Sequence, residues 1–205
     1  CVDNVTSQYC KSTYATDYNG PGSTCNDPAI SDMPACSEPE PTLACCLFQH
    51  PTTHMCLTEL DKLVTPGMKV MDVGTGSGIL TIAAAKLGAE YVLALDIDQD
   101  AIKATRANVK INGLQHVVKL QRRTISPEDN IEDEFDLVVA NLYTKVILSI
   151  APTLVAKLAP QGKLVLSGIL AERMGEVEQS LAEVGCTLLR MDREGDWAVL
   201  VGVKN

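Results

Sequence analysis

Hydrophobic residues recur in two alternating patterns along the chain after about residue 50. Short apolar runs bounded by glycine, proline or asparagine predict buried β-strands. Between these runs, apolar residues three or four positions apart predict helices. The predicted strands lie at residues 69–73, 91–96, 117–121, 136–140, 163–167, 187–193 and 197–203. The first predicted helix follows His50, and the others lie at residues 79–88, 100–111, 145–158 and 171–184.

This alternation predicts the fold class. Strands separated by helices are typical of an α/β protein with a doubly wound parallel sheet. The run at 136–140 is apolar enough for a strand buried on both faces, as in a parallel sheet. Only the turn at 194–196 separates the last two strands, which predicts an antiparallel hairpin. We expect a seven-stranded, mostly parallel sheet with this hairpin at its C-terminal end.

The first 46 residues follow neither period. They are rich in serine, threonine, glycine and proline, and they contain six of the chain's eight cysteines. A segment of this composition buries too little apolar surface to order itself without cross-links. We therefore predict an irregular, Cys-rich segment over residues 1–46 and one folded domain over residues 47–205.

The chemistry concentrates at residues 70–80, where a predicted strand runs into alternating glycines and then a helix. Gly74 and Gly76 let backbone N–H groups face a ligand, and the helix directs its positive end towards the same place. Asp96 ends the next predicted strand, where a carboxylate can accept both hydroxyls of an adenosine ribose. The pattern predicts a nucleoside-bearing cofactor.

The glycine spacing favours one such cofactor over another. In the dinucleotide fingerprint G-x-G-x-x-G the third glycine comes one residue later than Gly78 does here. Asp72 also stands beside the loop, and an acid suits a cofactor with a positive amino-acid tail, such as S-adenosylmethionine. A nicotinamide-dependent oxidoreductase stays an alternative, although no Tyr-x-x-x-Lys pair supports it, and a ligand-free glycine turn is another.

These motifs resemble a known enzyme class. Asp-Val-Gly-Thr-Gly-Ser-Gly at 72–78, with Asp96 and Asn141, resembles the class I S-adenosylmethionine-dependent methyltransferases. Within that class, three further motifs resemble the family that methylates protein eleven of the large ribosomal subunit. They are His-Pro-Thr-Thr at 50–53, Val-Ala-Asn-Leu at 139–142 and Leu-Ser-Gly-Ile-Leu at 166–170. Over residues 50–205 the resemblance implies a Rossmann-like fold, S-adenosyl-L-methionine as cofactor and N-methylation of a ribosomal protein.

The resemblance also implies which residues bind the cofactor. The resemblance implies Thr53, Gly74, Asp96 and Asn141, and the glycine-turn pattern adds Asp72 and Gly76. The expected cofactor-binding set is therefore Thr53, Asp72, Gly74, Gly76, Asp96 and Asn141. Asn141 is the predicted catalytic residue, because its amide oxygen and backbone carbonyl can accept N–H bonds from an incoming amine and orient its lone pair. The alternative for Asn141 is a turn residue at a strand end. No metal site is predicted.

The sequence departs from the family in three places. The family has Phe-Gly-Thr-Gly-x-His before its Thr-Thr and a separate amino-terminal domain that recognises the ribosomal protein, whereas residues 45–50 read Cys-Cys-Leu-Phe-Gln-His. Tyr143 replaces a small residue, and Asn-Leu-Tyr is similar to the Asn-Pro-Pro-Tyr of other amine methyltransferases. Another amine or nucleic-acid-base methyltransferase therefore stays an alternative, as does a non-catalytic cofactor-binding module with a Cys-rich interaction arm.

Charge and composition limit the partners. A net charge of −9 argues against a broad grip on nucleic acid, except through a ribosomal substrate, and we interpret the basic cluster of Lys119, Arg122 and Arg123 as a solvated face. No apolar run is long enough to cross a bilayer. A cytoplasmic location is expected, although the Cys-rich segment would suit a disulfide-forming compartment. A zinc site among Cys45, Cys46, His50, His54 and Cys56 is conceivable, but the spacing matches no C-x-x-C pattern.

Overall fold

The computed structural model describes residues 50–126 and 134–205. Residues 51–205 form one compact unit. The predicted Cys-rich segment at 1–46, the motif residues 45–49 and most of the acidic loop at 127–133 lie outside the described residues. The domain boundary at residue 46 and the zinc alternative that includes Cys45 and Cys46 therefore stay predictions.

Five α-helices and seven strands make up the described part of the chain. The helices are α1 (Pro51–Leu63), α2 (Ile79–Lys86), α3 (Gln99–Ile111), α4 (Thr144–Ala156) and α5 (Met174–Glu183), the last preceded by a 3₁₀ turn at Ala171–Arg173. The strands are β1 (Lys69–Val73), β2 (Tyr91–Asp96), β3 (Val118–Arg122), β4 (Phe135–Asn141), β5 (Leu158–Leu170), β6 (Cys186–Glu194) and β7 (Trp197–Lys204). Within these residues, no helix combines the length and hydrophobicity needed to cross a membrane.

All seven strands form one sheet in the order β3-β2-β1-β4-β5-β7-β6. The first five in this order pair in parallel, and β7 pairs antiparallel with both β5 and β6. The predicted α/β fold with a C-terminal antiparallel hairpin is therefore confirmed. The order reverses between β1 and β4, because the chain first builds outwards through β2 and β3 and then returns to the other side of β1. Such a reversal leaves a crevice at the carboxyl ends of the strands.

Helices cover both faces of the central strands, and this explains why those strands are apolar along their whole length. All residues of β1 except Lys69 are buried, and the same is true of the four middle residues of β2. On one face, α4 and α5 pack together against β5 and β6. Helix α1 packs against α2, β5 and β7. This contact sets the N-terminal turn of α1 near the strand ends.

Most element bounds agree with the predictions, and the differences come from long-range pairing. The bounds predicted for β1 and β2 are those observed. The strand predicted at 163–167 is longer, because Leu158 also pairs with Phe135 of β4 before an irregularity in the register. The helix predicted at 171–184 begins as a 3₁₀ turn and becomes α-helical at Met174. Pro152 lies inside α4.

A buried charge joins α1 to the hairpin. Glu59 is only 2% exposed. Its Oε1 accepts from Lys62 Nζ at 3.0 Å, and its Oε2 accepts from the guanidinium of Arg190 on β6. A carboxylate removed from water needs such partners, since leaving one unpaired is costly. The pair therefore fixes how α1 lies against β6.

Replacing Arg190 with methionine should lower the free energy of unfolding by about 1–3 kcal/mol, the cost of stranding a buried acceptor. The value is expected at the lower end, because Arg190 is 40% exposed and Lys62 stays as a partner. Urea denaturation of Arg190→Met, Glu59→Gln and the double variant measures the coupling between the two residues. Independent, additive effects of the two substitutions would show that the ion pair does not hold α1 to the hairpin.

Candidate functional site

The candidate site lies at the carboxyl ends of β1, β2 and β4, where the strand order reverses. Val73 pairs with Leu95 of β2 on one side and with Ala140 of β4 on the other. The residues that directly follow these strands therefore meet at one edge of the sheet. They are the glycine turn after β1, the loop after Asp96, and the segment that begins at Asn141.

The glycine turn is held from two sides. Leu95 O accepts from the N–H groups of Gly74 (2.8 Å) and Thr75 (3.0 Å). From α3, Thr105 Oγ1 donates to Gly76 O, and a second α3 side chain, Asn108, donates to the carbonyl of Ser77, both at 2.8 Å. These bonds fix the turn between β2 and α3, so its shape does not depend on a ligand.

Gly74 is required by both its conformation and its neighbour. Its φ is +80°, in the left-handed region that favours glycine. A Cβ at this position would lie 2.4 Å from Cδ2 of Leu142, the residue after β4. The absence of a side chain therefore lets the first strand end and the fourth strand end approach each other directly.

Asp96 faces the same turn. Its Oδ2 accepts from the Gly76 N–H at 2.9 Å, and its Oδ1 accepts from the Asp98 N–H at the same distance. The two bonds fix the carboxylate plane, and each oxygen keeps a second lone pair for a further donor. Ile97 follows immediately and is 68% exposed, so an apolar side chain stands next to this acceptor.

Asp72 lies beneath the turn and is fully buried. Its Oδ2 accepts from Thr81 Oγ1 at 2.6 Å, whereas its Oδ1 has no hydrogen-bond partner among the described residues. Burial raises the pKa of this carboxyl to about 6, although hydrogen bonds from Thr81 and Thr75 oppose the shift and the charge of Asp96 adds to it. An orphaned buried carboxylate oxygen marks a place for a hydrogen-bond donor or a cation.

Thr53 and Asn141 contact each other although 88 positions separate them. The Asn141 side-chain amide donates to Thr53 Oγ1 at 3.3 Å, which joins the first turn of α1 to the end of β4. With its amide nitrogen so engaged, the Asn141 carbonyl oxygen is left as an acceptor at the strand end. Thr53 itself is buried.

Gly168 holds the segment after Asn141 in place. Its φ is +79°, and a Cβ there would lie 2.3 Å from the carbonyl oxygen of Leu142. The Leu142 N–H donates to Ser167 O at 3.0 Å. Leu142 is therefore clamped between β5 and Gly74, and this clamp fixes the backbone on which Asn141 lies.

Cys56, on the second turn of α1, is buried next to the same strands. Burial raises the pKa of its thiol far above the ordinary range, the charge of Asp72 raises it further, and a hydrogen bond with Ser167 partly opposes this. A thiol in such surroundings stays protonated, so Cys56 has no role as a nucleophile. Cys56 and Cys186 are both buried free thiols.

The six predicted site residues thus lie at the carboxyl ends of β1, β2 and β4 or contact residues there, and Asp72 is buried within β1. Sequence reasoning missed the residues that shape this crevice: Thr75, Thr81, Ile97, Thr105, Asn108, Leu142 and the role of Gly168. Arg122, from the predicted basic cluster, donates to Ile97 O and Gln99 Oε1 and so braces the loop after Asp96. Within the described ranges, no group of three histidine, cysteine or acidic side chains is arranged to hold a metal ion.

The sequence matches a known protein family. The family model of ribosomal protein L11 methyltransferase (PrmA) matches residues 36–205. A ribosomal protein L11 methyltransferase of Geobacillus thermodenitrificans is 40% identical over 179 residues, which cover 87% of this chain and 55% of that relative. The protein of the same description from Geobacter metallireducens is 43% identical over 164 residues, covering 80% and 53%.

A solved structure is also similar. The ribosomal protein L11 methylase of Lactobacillus delbrueckii subsp. bulgaricus superposes with a TM-score of 0.70 at 35% identity, covering 75% of this chain and 79% of that one. The chain spans about half the length of the curated relatives it matches.

Replacing Asp72 with asparagine tests the buried carboxylate. Because the folded-state pKa is about 6 and the unfolded value is about 3.9, the folded wild type binds the extra proton between these values. The contribution of Asp72 to stability should therefore be greatest below pH 4 and fall by about 3 kcal/mol as the pH rises to 7. The unfolding free energy of Asp72→Asn should not show this decrease.

The measurement is urea denaturation of both proteins from pH 4 to pH 8. The difference in unfolding free energy should shift in favour of Asp72→Asn as the pH rises from 4 to 6 and change little above that. A difference that does not vary with pH would contradict the burial cost.

Proposed function

The chain belongs to the ribosomal protein L11 methyltransferase family, and we propose that it transfers methyl groups from S-adenosylmethionine to amino groups of a ribosomal protein. The observation that carries the proposal is the convergence of Asp72, Asp96 and Asn141 on one crevice beside an anchored glycine turn. These groups are hydrogen-bond acceptors of different kinds, and each suits a different part of the cofactor and its amine partner.

The residues present fit the cofactor. The unpartnered Oδ1 of Asp72 suits the ammonium group of the methionine tail, because a buried anion lacks a donor there. Asp96, oriented by two backbone N–H groups, would accept the ribose hydroxyls. Exposed Ile97 would cover the flat face of the adenine, and Gly74 leaves room for the methionine backbone. When bound, the sulfonium supplies a methyl group already activated for transfer to a nucleophile.

Asn141 acts on the acceptor. Its carbonyl oxygen accepts a hydrogen bond from an N–H of the incoming amine. This bond orients the amine so that the lone pair of the amine nitrogen is directed into the crevice. Thr53 determines this orientation, because it takes the donor side of the amide and leaves the oxygen facing outwards. The clamp on Leu142 keeps the strand end rigid while the amine approaches.

Alignment and exclusion of water are the main contributions of the protein. A lysine amine must lose its proton before attack, and water takes that proton in this proposal. His54, the residue after Thr53, pairs through Nδ1 with Glu194 Oε2 at 3.2 Å, and both side chains are about half exposed, so we assign this pair to the contact between α1 and the hairpin. Cys56 stays protonated and does not compete as a nucleophile. The buried Asp72 and the apolar neighbours of the site keep the reacting groups in a low-dielectric environment.

The acceptor is the ribosomal protein L11 itself in this proposal. A chain with net charge −9 attracts a basic partner rather than nucleic acid. A cytoplasmic location belongs to the same proposal, since ribosomal proteins are made there. Because the chain spans about half the length of its curated relatives, the acceptor is tested both as the whole protein and as short lysine peptides.

Titration with S-adenosylhomocysteine tests the cofactor. Calorimetry should show saturable binding by the wild type, with affinity lowered by about 1–3 kcal/mol in Asp96→Asn, since the ribose then loses charged acceptors. Exposed Asp61→Asn is the matched control and should bind like the wild type. NAD should neither bind nor compete.

Displacement of bound S-adenosylhomocysteine by NAD would favour the alternative that the protein is an oxidoreductase. Equal affinities of the wild type and Asp96→Asn for S-adenosylhomocysteine would show that Asp96 does not bind the ribose. Binding without any transfer to L11 or lysine peptides would favour the non-catalytic module.

Replacing Asn141 with alanine should lower the turnover number for methylation of L11 by about 100-fold, the usual effect of deleting one oriented polar group. Affinity for S-adenosylhomocysteine should fall much less. Thr53→Val should reproduce part of the turnover loss, because the amide of Asn141 loses its orienting acceptor. Thr53→Ser keeps that oxygen and is the control. Wild-type turnover in Asn141→Ala would show that this side chain does not act on the amine.

A further inference from the structure

Among the described residues, one aromatic side chain that follows β4 is largely exposed. The described residues include six large apolar side chains that are exposed: Ile97, Ile111, Tyr143, Val146, Leu189 and Met191. The two most exposed are Tyr143 at 77% and Ile97 at 68%. Ile97 directly follows the last residue of β2, and Tyr143 lies two residues after the last residue of β4, so both are close in sequence to the site residues Asp96 and Asn141. Apolar surface left open at a site marks a place for a ligand.

The backbone of Tyr143 is fixed although its ring is exposed. It is preceded by the clamped Leu142, and its φ and ψ are −58° and 142° at the start of α4. Its carbonyl oxygen accepts from the N–H groups of Val146 (2.8 Å) and Ile147 (3.1 Å). Only two side-chain torsions stay free, so the ring can cover a ligand at little cost in conformational entropy.

The two exposed side chains, Ile97 and Tyr143, lie near different groups of the site, so we assign them different roles. Ile97 follows the acceptor assigned to the ribose, and Tyr143 lies two residues after Asn141, the residue assigned to the acceptor amine. An aromatic face attracts alkylammonium groups, and the attraction is useful at a site where lysine arrives as an ammonium ion, reacts as the neutral amine and leaves as a methylated ammonium ion. Aliphatic Ile97 has no such property.

We infer that Tyr143 forms the acceptor-side wall of the crevice and selects a cationic alkylammonium side chain, lysine and its methylated forms, over neutral or planar acceptors. The inference rests on the proposed function and specifies its substrate. Methylation reduces the hydration of the ammonium group without removing its charge, so the preference increases from lysine to trimethyllysine.

The test compares two peptides of equal shape. One is a short glycine-flanked peptide that carries trimethyllysine, and the other carries its neutral carbon isostere, in which a tert-butyl group replaces the trimethylammonium group. Both are titrated by NMR into the full chain saturated with S-adenosylhomocysteine. The cationic peptide should bind about threefold to tenfold more tightly, the range expected for one exposed aromatic contact.

Variants locate this preference. Tyr143→Phe keeps the aromatic face and should retain the ratio, whereas Tyr143→Leu keeps apolar bulk and should reduce it to about one. Ile111→Ala is the matched control, because Ile111 is an exposed apolar residue at the far end of α3. It should change nothing.

Three results would overturn the inference: equal affinities for the two peptides on the wild type, loss of the ratio in Tyr143→Phe, or its persistence in Tyr143→Leu. Tighter binding of a glutamine peptide or of a free nucleoside would overturn it in favour of a planar acceptor. Failure of S-adenosylhomocysteine to bind would instead contradict the proposed function.

Discussion

The parallel pairing of β1 with both β2 and β4 is the constraint on which the rest of the structure depends. Because β1 lies at the centre of this trio, the residues after each strand arrive at one edge of the sheet. A Cβ at Gly74 would meet the side chain of Leu142, and the φ of +80° at this position favours glycine. The crevice is therefore a consequence of strand order together with two positions, Gly74 and Gly168, where only glycine fits.

The main free-energy cost of this arrangement is the burial of one carboxylate, Asp72. Asp72 is removed from water and receives hydroxyl hydrogen bonds on one oxygen only, so its charge is unfavourable in the folded protein. A fold selected for stability alone would not keep this oxygen unpaired. The proposed cofactor explains the cost, since its ammonium group would provide the missing donor. The hydrogen bonds of Asn141 with Thr53 and of Leu142 with Ser167 show the opposite property, because they hold the end of β4 in place without a ligand.

Much of the fold could be predicted from periodicity, and the site only in part. The strands at 69–73 and 91–96 were predictable because their signals are local: continuous apolar runs that end in turn residues. Leu158 of β5 was missed because its place in the sheet comes from pairing with Phe135, which no local pattern encodes. For the same reason the contact between Thr53 and Asn141 could be expected only through the family resemblance, and the packing of Leu142 against Gly74 and Gly168 could not be expected at all. Tyr143 was visible as a departure from the family, but its exposure required the structure.

The central claim is that the crevice between β1, β2 and β4 binds S-adenosylmethionine through Asp72 and Asp96. A crystal structure of the chain with bound S-adenosylhomocysteine tests it most directly. The account predicts ribose hydroxyls within hydrogen-bond distance of the Asp96 carboxylate and the ammonium group as the donor nearest to Asp72 Oδ1, directly or through one water. A bound nucleoside away from Gly74 and Asp96, with Asp72 Oδ1 still without a donor, would contradict it.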